Sequence, residues 1–196
     1  MTSDIEPGTE PGVTEHVASG SKRLSLVALA AVAVFTVGLV VVNPFADEEK
    51  APDGLLGFSV RTAEGSDAIV ADFVGEPLVV NYFAAWCGPC RAELPGFEKV
   101  ATEVAAEGVR FLGISRDIDE GTWKSFIAET NVSFPTVFEG SGEGSFEALG
   151  ATGMPTTVFL RSDGSIADVF SGLLPESTLR EKVAALVADD EGNSGG

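Results

Sequence analysis

The chain holds almost no histidine or cysteine: among 196 residues there is one histidine, His16, and there are two cysteines. A structural zinc site takes four ligands, mostly Cys and His, so this supply excludes one and no metal is expected. Two cysteines also exclude a small scaffold stapled by several disulfides. Bases are scarce, with 12 Lys and Arg against 30 Asp and Glu, for a net charge of -18. Nucleic acid and anionic lipid head groups are therefore excluded as main partners, because their phosphates would be repelled. Apolar residues are not lacking. They make up 44% of the chain, enough for a packed core and too many for wholesale disorder.

The charge pattern divides the chain. Residues 1–23 carry Asp4, Glu6, Glu10 and Glu15 amid Gly, Pro, Ser and Thr, and end in Lys22-Arg23. They read as a disordered tail. Leu24 to Val42 is 19 residues without a charge. At about 1.5 Å per residue such a helix crosses a hydrocarbon core of about 30 Å. A cleaved signal peptide has a short basic leader and an Ala-x-Ala-like exit. Here the leader is long and acidic, and Asn43 to Ala46 is a poor cleavage site. The run is apolar on every face, unlike a core helix. An uncleaved single-pass transmembrane anchor in the cell membrane is the expectation. Lys22 and Arg23 place the N-terminus in the cytoplasm and everything beyond Val42 outside. Residues 43–57 read as a linker, 58–188 as the globular domain, and 189–196 as a disordered tail.

Within the domain, Phe58–Thr62 and Ser66–Val70 flank Glu64-Gly65 as a hairpin. Leu78–Phe83 is a nearly continuous β-rich run, the pattern of a strand buried on both faces. A helix follows from Cys87 or Gly88 to Glu107, with Pro95 inside it and Gly108 ending it. Val109–Ser115 is a second buried strand. A helix opening at Asp119 or Glu120 presents Trp123, Phe126 and Ile127. Thr136–Phe138 is a short strand and Ser145–Leu149 a short helix. Thr156–Leu160 and Ile166–Ser171 enclose a tight turn at Ser162–Ser165. A closing helix runs from Pro175 to Val187. Strands alternating with helices predict an α/β sandwich with a mixed central sheet.

Both cysteines fall in Trp86-Cys87-Gly88-Pro89-Cys90, directly after a buried strand and at the start of a helix. Two intervening residues let the sulfurs meet within one turn, so a disulfide opens and closes with little backbone movement. The helix N-terminus stabilises a thiolate at Cys87. Cys90, one turn in and more buried, acts second. A structural disulfide is the competing reading, but a two-residue loop constrains the unfolded chain very little. Haem attachment needs His at position 91, where the chain has Arg91. His16 lies in the tail, so catalysis by a Cys–His or Ser–His–Asp set is excluded from the domain. Dithiol–disulfide redox chemistry without a cofactor remains. Read from its residues alone, Pro155 is either an ordinary strand-leading proline or a cis proline in a tight turn.

Trp86–Cys90 together with Gly153-Met154-Pro155-Thr156 resembles the thioredoxin superfamily over residues 58–187. Three features are similar to its membrane-tethered TlpA/ResA/DsbE-like branch. Val80-Asn81-Tyr82-Phe83-Ala84 precedes the motif, with Asn81 where ordinary thioredoxins have a buried Asp. Arg91-Ala92-Glu93-Leu94-Pro95 follows it. The 64 residues between Cys90 and Pro155 leave room for an extra helix and strand, here about Ser133 to Leu149. The resemblance implies a thioredoxin-like three-layer sandwich with a cis Met154–Pro155 bond beside Cys87. It implies that Met154 and Pro155 meet a bound peptide strand, and that Glu93 relays the proton of Cys90. Trp86 would line a docking surface, or be a half-buried packing residue. Glu93 would otherwise be an exposed carboxylate.

The resemblance implies an extracytoplasmic thiol–disulfide oxidoreductase. Its substrates would be exported cysteine-containing proteins such as apocytochrome c, and a membrane electron carrier of the CcdA type would reduce it again. Two readings compete: an oxidase that donates its disulfide, and a non-enzymatic membrane-tethered binding module on the same scaffold. A peroxidase with its cysteine in Pro-x-x-x-Thr-x-x-Cys is excluded, since that pattern is absent.

Overall fold

The computed structural model describes residues 54–193. The tail, the apolar run Leu24–Val42 and most of the linker lie outside them. Among the described residues no helix is long and apolar enough to cross a membrane.

Seven strands form one mixed sheet: β1 (Ser59–Thr62), β2 (Asp67–Ile69), β3 (Leu78–Phe83), β4 (Arg110–Ser115), β5 (Thr136–Phe138), β6 (Thr156–Leu160) and β7 (Ile166–Ser171), in the order β2-β1-β5-β4-β3-β6-β7. β3 runs parallel to β4 and antiparallel to β6. Every residue of β3 is buried, which is why its sequence carries no polar alternation. Side chains still alternate between faces. Val79 and Phe83 join one core cluster with Phe97, Phe126, Leu179 and Val183. Leu78, Val80 and Tyr82 join the other with Leu112, Ile114 and Leu160. Asn81 has the parity of Val79 and Phe83, so the strand aims it at the helix that follows.

That helix is α1 (Gly88–Val104), followed by a 3-10 turn at Ala105–Glu107 and a left-handed Gly108 at φ 79°. Pro95 sits inside α1, where it removes the bond to the Arg91 carbonyl. α2 (Glu120–Thr130) is capped by Asp119, whose side chain accepts from Thr122 N, and ends at left-handed Asn131. Trp123 and Phe126 are its buried face. α3 (Ser145–Ala148) is short, and its N-terminal side is held by a buried ion pair, Arg116 with Glu139. α4 (Glu176–Asn193) packs on α1. Gly96 permits that approach, since a Cβ there would lie 3.3 Å from Glu176 Cβ.

Three boundaries differ from the sequence reading. The linker was expected to run to 57, but Gly54–Gly57 forms a 3-10 helix with Leu55 buried in the second core. The tail from Asp189 was expected to be disordered, yet α4 continues to Asn193. Local composition favours fraying there, and tertiary bonds oppose it. Asp189 pairs with Arg161 at 2.6 Å, Asp190 accepts from Ser162, and Asn193 donates to Asp163. A 3-10 helix at Val70–Phe73 also replaces the end of the expected second strand, where Asp72 accepts from Ile69 N at 2.9 Å.

Candidate active site

After β3 the chain turns sharply at Ala84–Cys87, where Cys87 N–H donates to Ala84 O at 3.0 Å. Cys87 is the N-cap of α1, and its sulfur accepts from Cys90 N at 3.2 Å. Pro89 stands in the first helical turn, where its missing N–H leaves no gap. The two cysteines are joined as a disulfide with Cα atoms 5.3 Å apart. Cys87 is 4% exposed and Cys90 fully buried, so a reacting partner reaches Cys87 first. A sulfur at a helix N-terminus that already accepts an N–H is favoured as a thiolate.

Glu93, one turn beyond Cys90, is buried at 4% exposure rather than solvated. Its Oε1 accepts from Asn81 Nδ2 at 2.8 Å and its Oε2 from Leu174 N at 2.9 Å. Burial raises its pKa to about 7, against the two hydrogen bonds, which lower it. A carboxyl poised there exchanges a proton near neutral pH. The Met154–Pro155 peptide is cis. Pro155 is buried, and its carbonyl accepts from Gly172 N at 2.8 Å. Met154 is half-buried and packs on the cluster that contains both cysteines. Trp86 is 65% exposed, a surface residue rather than a half-buried one. Arg91 lies 4.6 Å over the Phe126 ring and pairs with Glu129 at 3.1 Å. Among the described residues no group of His, Cys, Asp and Glu is placed to hold a metal ion.

The structure adds residues that the sequence reading did not single out. Asp117, fully buried after β4, accepts from Ala85 N and Ser115 Oγ, each at 2.9 Å. It fixes the turn that carries Trp86. The next residue, Ile118, is 82% exposed. Leu173, beside the Leu174 amide, is 46% exposed. One signal was available: in open α/β sheets the carboxyl ends of parallel strands share a site, and Asp117 follows β4 as Cys87 follows β3. The segment Gly172–Leu174 carried no such signal, because its role is a backbone one.

A buried-strand sheet of this order, with a reactive Cys-x-x-Cys pair capping the helix after β3, defines a thioredoxin-like thiol–disulfide oxidoreductase. Residues 48–169 match the AhpC/TSA family, and the chain belongs to that family. It is 31% identical over 149 residues to the thiol-disulfide oxidoreductase ResA of Oceanobacillus iheyensis, covering 72% of this chain and 77% of that protein. The ResA of Halalkalibacterium halodurans is 29% identical over 162 residues, covering 81% and 90%. A secreted Mycobacterium tuberculosis disulfide oxidoreductase, described as homologous to DsbE of E. coli, aligns with a TM-score of 0.57. It is 28% identical, with coverage of 65% of this chain and 95% of that one.

Proposed function

We propose that this oxidoreductase is a membrane-anchored reductase of disulfides in exported proteins, with apocytochrome c as its substrate class. The observation that carries the reading is the buried Glu93 one turn from Cys90, set to take up a proton near neutral pH. In the reduced protein the Cys87 thiolate attacks a substrate disulfide. A Cys87–substrate disulfide forms and one substrate thiolate leaves. Cys90 gives its proton to Glu93 and attacks Cys87. The second substrate sulfur leaves as a thiolate, which takes its proton from Glu93 or water; the substrate has gained two electrons and the protein is left as the Cys87–Cys90 disulfide. A membrane dithiol carrier of the CcdA type returns the protein to the dithiol state by the same exchange in reverse. Trp86, Met154 and Pro155 receive the substrate strand.

The anchor is Leu24–Val42, with Lys22-Arg23 on its cytoplasmic side. The secreted location in the description of the Mycobacterium tuberculosis relative supports an extracytoplasmic domain. The test is the reduction potential of the full chain in detergent, read by thiol alkylation in defined redox buffers. A value near the ~-270 mV of thioredoxin fits a reductase, and one near the ~-120 mV of DsbA overturns it in favour of disulfide donation. Protease added outside cells with their walls removed is expected to digest the domain. A soluble product beginning near Asp47 would refute the anchor.

A further inference from the structure

The carboxamide of Asn81 is unevenly used. One N–H goes to Glu93 Oε1 at 2.8 Å and the other to Thr157 Oγ1 at 3.3 Å. Its carbonyl oxygen Oδ1 is buried and has no hydrogen-bond partner. Asn81 is 1% exposed and Thr157 fully buried. Leaving a buried carbonyl unpaired is destabilising. The arrangement suits a Glu93 carboxylate, whose two oxygens both accept. It does not suit the neutral acid, whose O–H must donate, while the free acceptor beside it points away.

Half a turn about χ2 exchanges Oδ1 and Nδ2 in nearly the same volume. Oδ1 then lies where it accepts the new O–H of Glu93, and the Thr157 hydroxyl donates to it in place of accepting. Nδ2 becomes the one unpaired atom. Each protonation state thus leaves one amide atom of Asn81 unsatisfied. We propose that Asn81 is a reversible positioning partner for Glu93: its N–H faces the carboxylate and, rotated, its carbonyl faces the neutral acid. The inference rests on Glu93 as the proton carrier of the site and deepens that reading. Glu93 can take and return a proton while its bond from Leu174 N, and with it the Gly172–Leu174 segment, stays in place. An aspartate here would add a second buried charge, and a leucine would remove the donor.

The surroundings leave this pairing to act alone. On α4, Glu176 and Arg180 are engaged with Lys99 and Glu103. On α2, Glu129 is engaged with Arg91. Beside β4, Asp117 is bound to Ala85 and Ser115, and Arg110 lies 3.8 Å from Glu76. On the helix of Glu93 itself, the ionisable groups at this end are Arg91, paired with Glu129, and Cys87 and Cys90, here joined as a disulfide.

The experiment is an NMR titration of the full chain in detergent, with the disulfide intact, labelled at Glu side-chain carboxyls and Asn side-chain amides. The Asn81 amide signals are expected to move with the same midpoint as the Glu93 carboxyl. In Glu93→Gln they are expected to stay fixed. Asn81 signals that remain flat while Glu93 titrates would overturn the proposal. Asn81→Leu is expected to raise the proton affinity of Glu93 at least tenfold, because the carboxylate loses its donor. An unchanged midpoint in that variant would also overturn it. If Asn81→Leu does not fold, the wild-type titration decides alone. No turnover enters the readout. A chain that shares the midpoint but reduces no substrate would defeat the proposed function and leave this inference standing.

Discussion

The Leu174 amide donates to Glu93 Oε2 at 2.9 Å, joining α1 to the segment that precedes α4. The same segment binds the Pro155 carbonyl through Gly172 N. One buried carboxyl is therefore fastened to the scaffold on two sides, by β3 through Asn81 and by this loop.

Glu93 makes stability depend on pH. Its folded pKa of about 7 lies above the ordinary 4.5. The folded state holds the proton more tightly, so this contribution is full below about pH 4.5 and is lost as pH rises through 7. The shift corresponds to about 3 kcal/mol. Urea unfolding across this range is expected to show that loss in wild type, and Glu93→Gln is expected to abolish it. Parallel curves for the two proteins would count against a buried, titrating Glu93.

Asp117→Asn places an N–H where two buried donors converge on a carboxylate. A loss of about 2 kcal/mol is expected by urea unfolding. Disulfide exchange is expected to slow as well, because the Ala84–Cys87 turn loses its anchor. A variant equal to wild type in both would remove Asp117 from the account.

Trp86 is 65% exposed and contributes little to the core. Trp86→Ala is expected to change stability by no more than about 0.5 kcal/mol. Loss of an aromatic anchor next to Cys87 is expected to lower kcat/KM for a protein disulfide about tenfold. A small model disulfide should feel much less. Equal losses on both substrates would place Trp86 in the chemistry rather than in recognition.

Arg116 and Glu139 are each 4% exposed in the pair that seats α3. Arg116→Met leaves Glu139 without its cation in a buried setting. A loss of about 3–5 kcal/mol is expected by thermal or urea unfolding. A loss below about 1 kcal/mol would mean the pair is solvated in solution.

Sequence patterns carried the elements that are locally determined. β3 was legible from its unbroken β-rich run, α1 from the strand-to-helix step at Cys87, and the β6–β7 turn from Ser162–Ser165. The position of Glu93 one turn past Cys90 was legible, whereas its burial depended on Leu174, which lies 81 residues away. The position of Asp117 after β4 was likewise legible, whereas its hold on Ala85, 32 residues distant, was not. At both ends of the domain, composition suggested chain without structure at Gly54–Gly57 and Asp189–Asn193. There the deciding contacts are the burial of Leu55 and the bonds of Asp189, Asp190 and Asn193 to the β6–β7 turn.

The order in which Cys87 attacks and Cys90 resolves is read by trapping substrates on cysteine variants of the full chain in its native membrane. Cys90→Ser is expected to accumulate a mixed disulfide through Cys87, released by reductant and mapped by mass spectrometry. Cys87→Ser is expected to trap none, since Cys90 is fully buried. Equal trapping by both variants, or trapping by Cys87→Ser alone, would contradict the assigned order of attack.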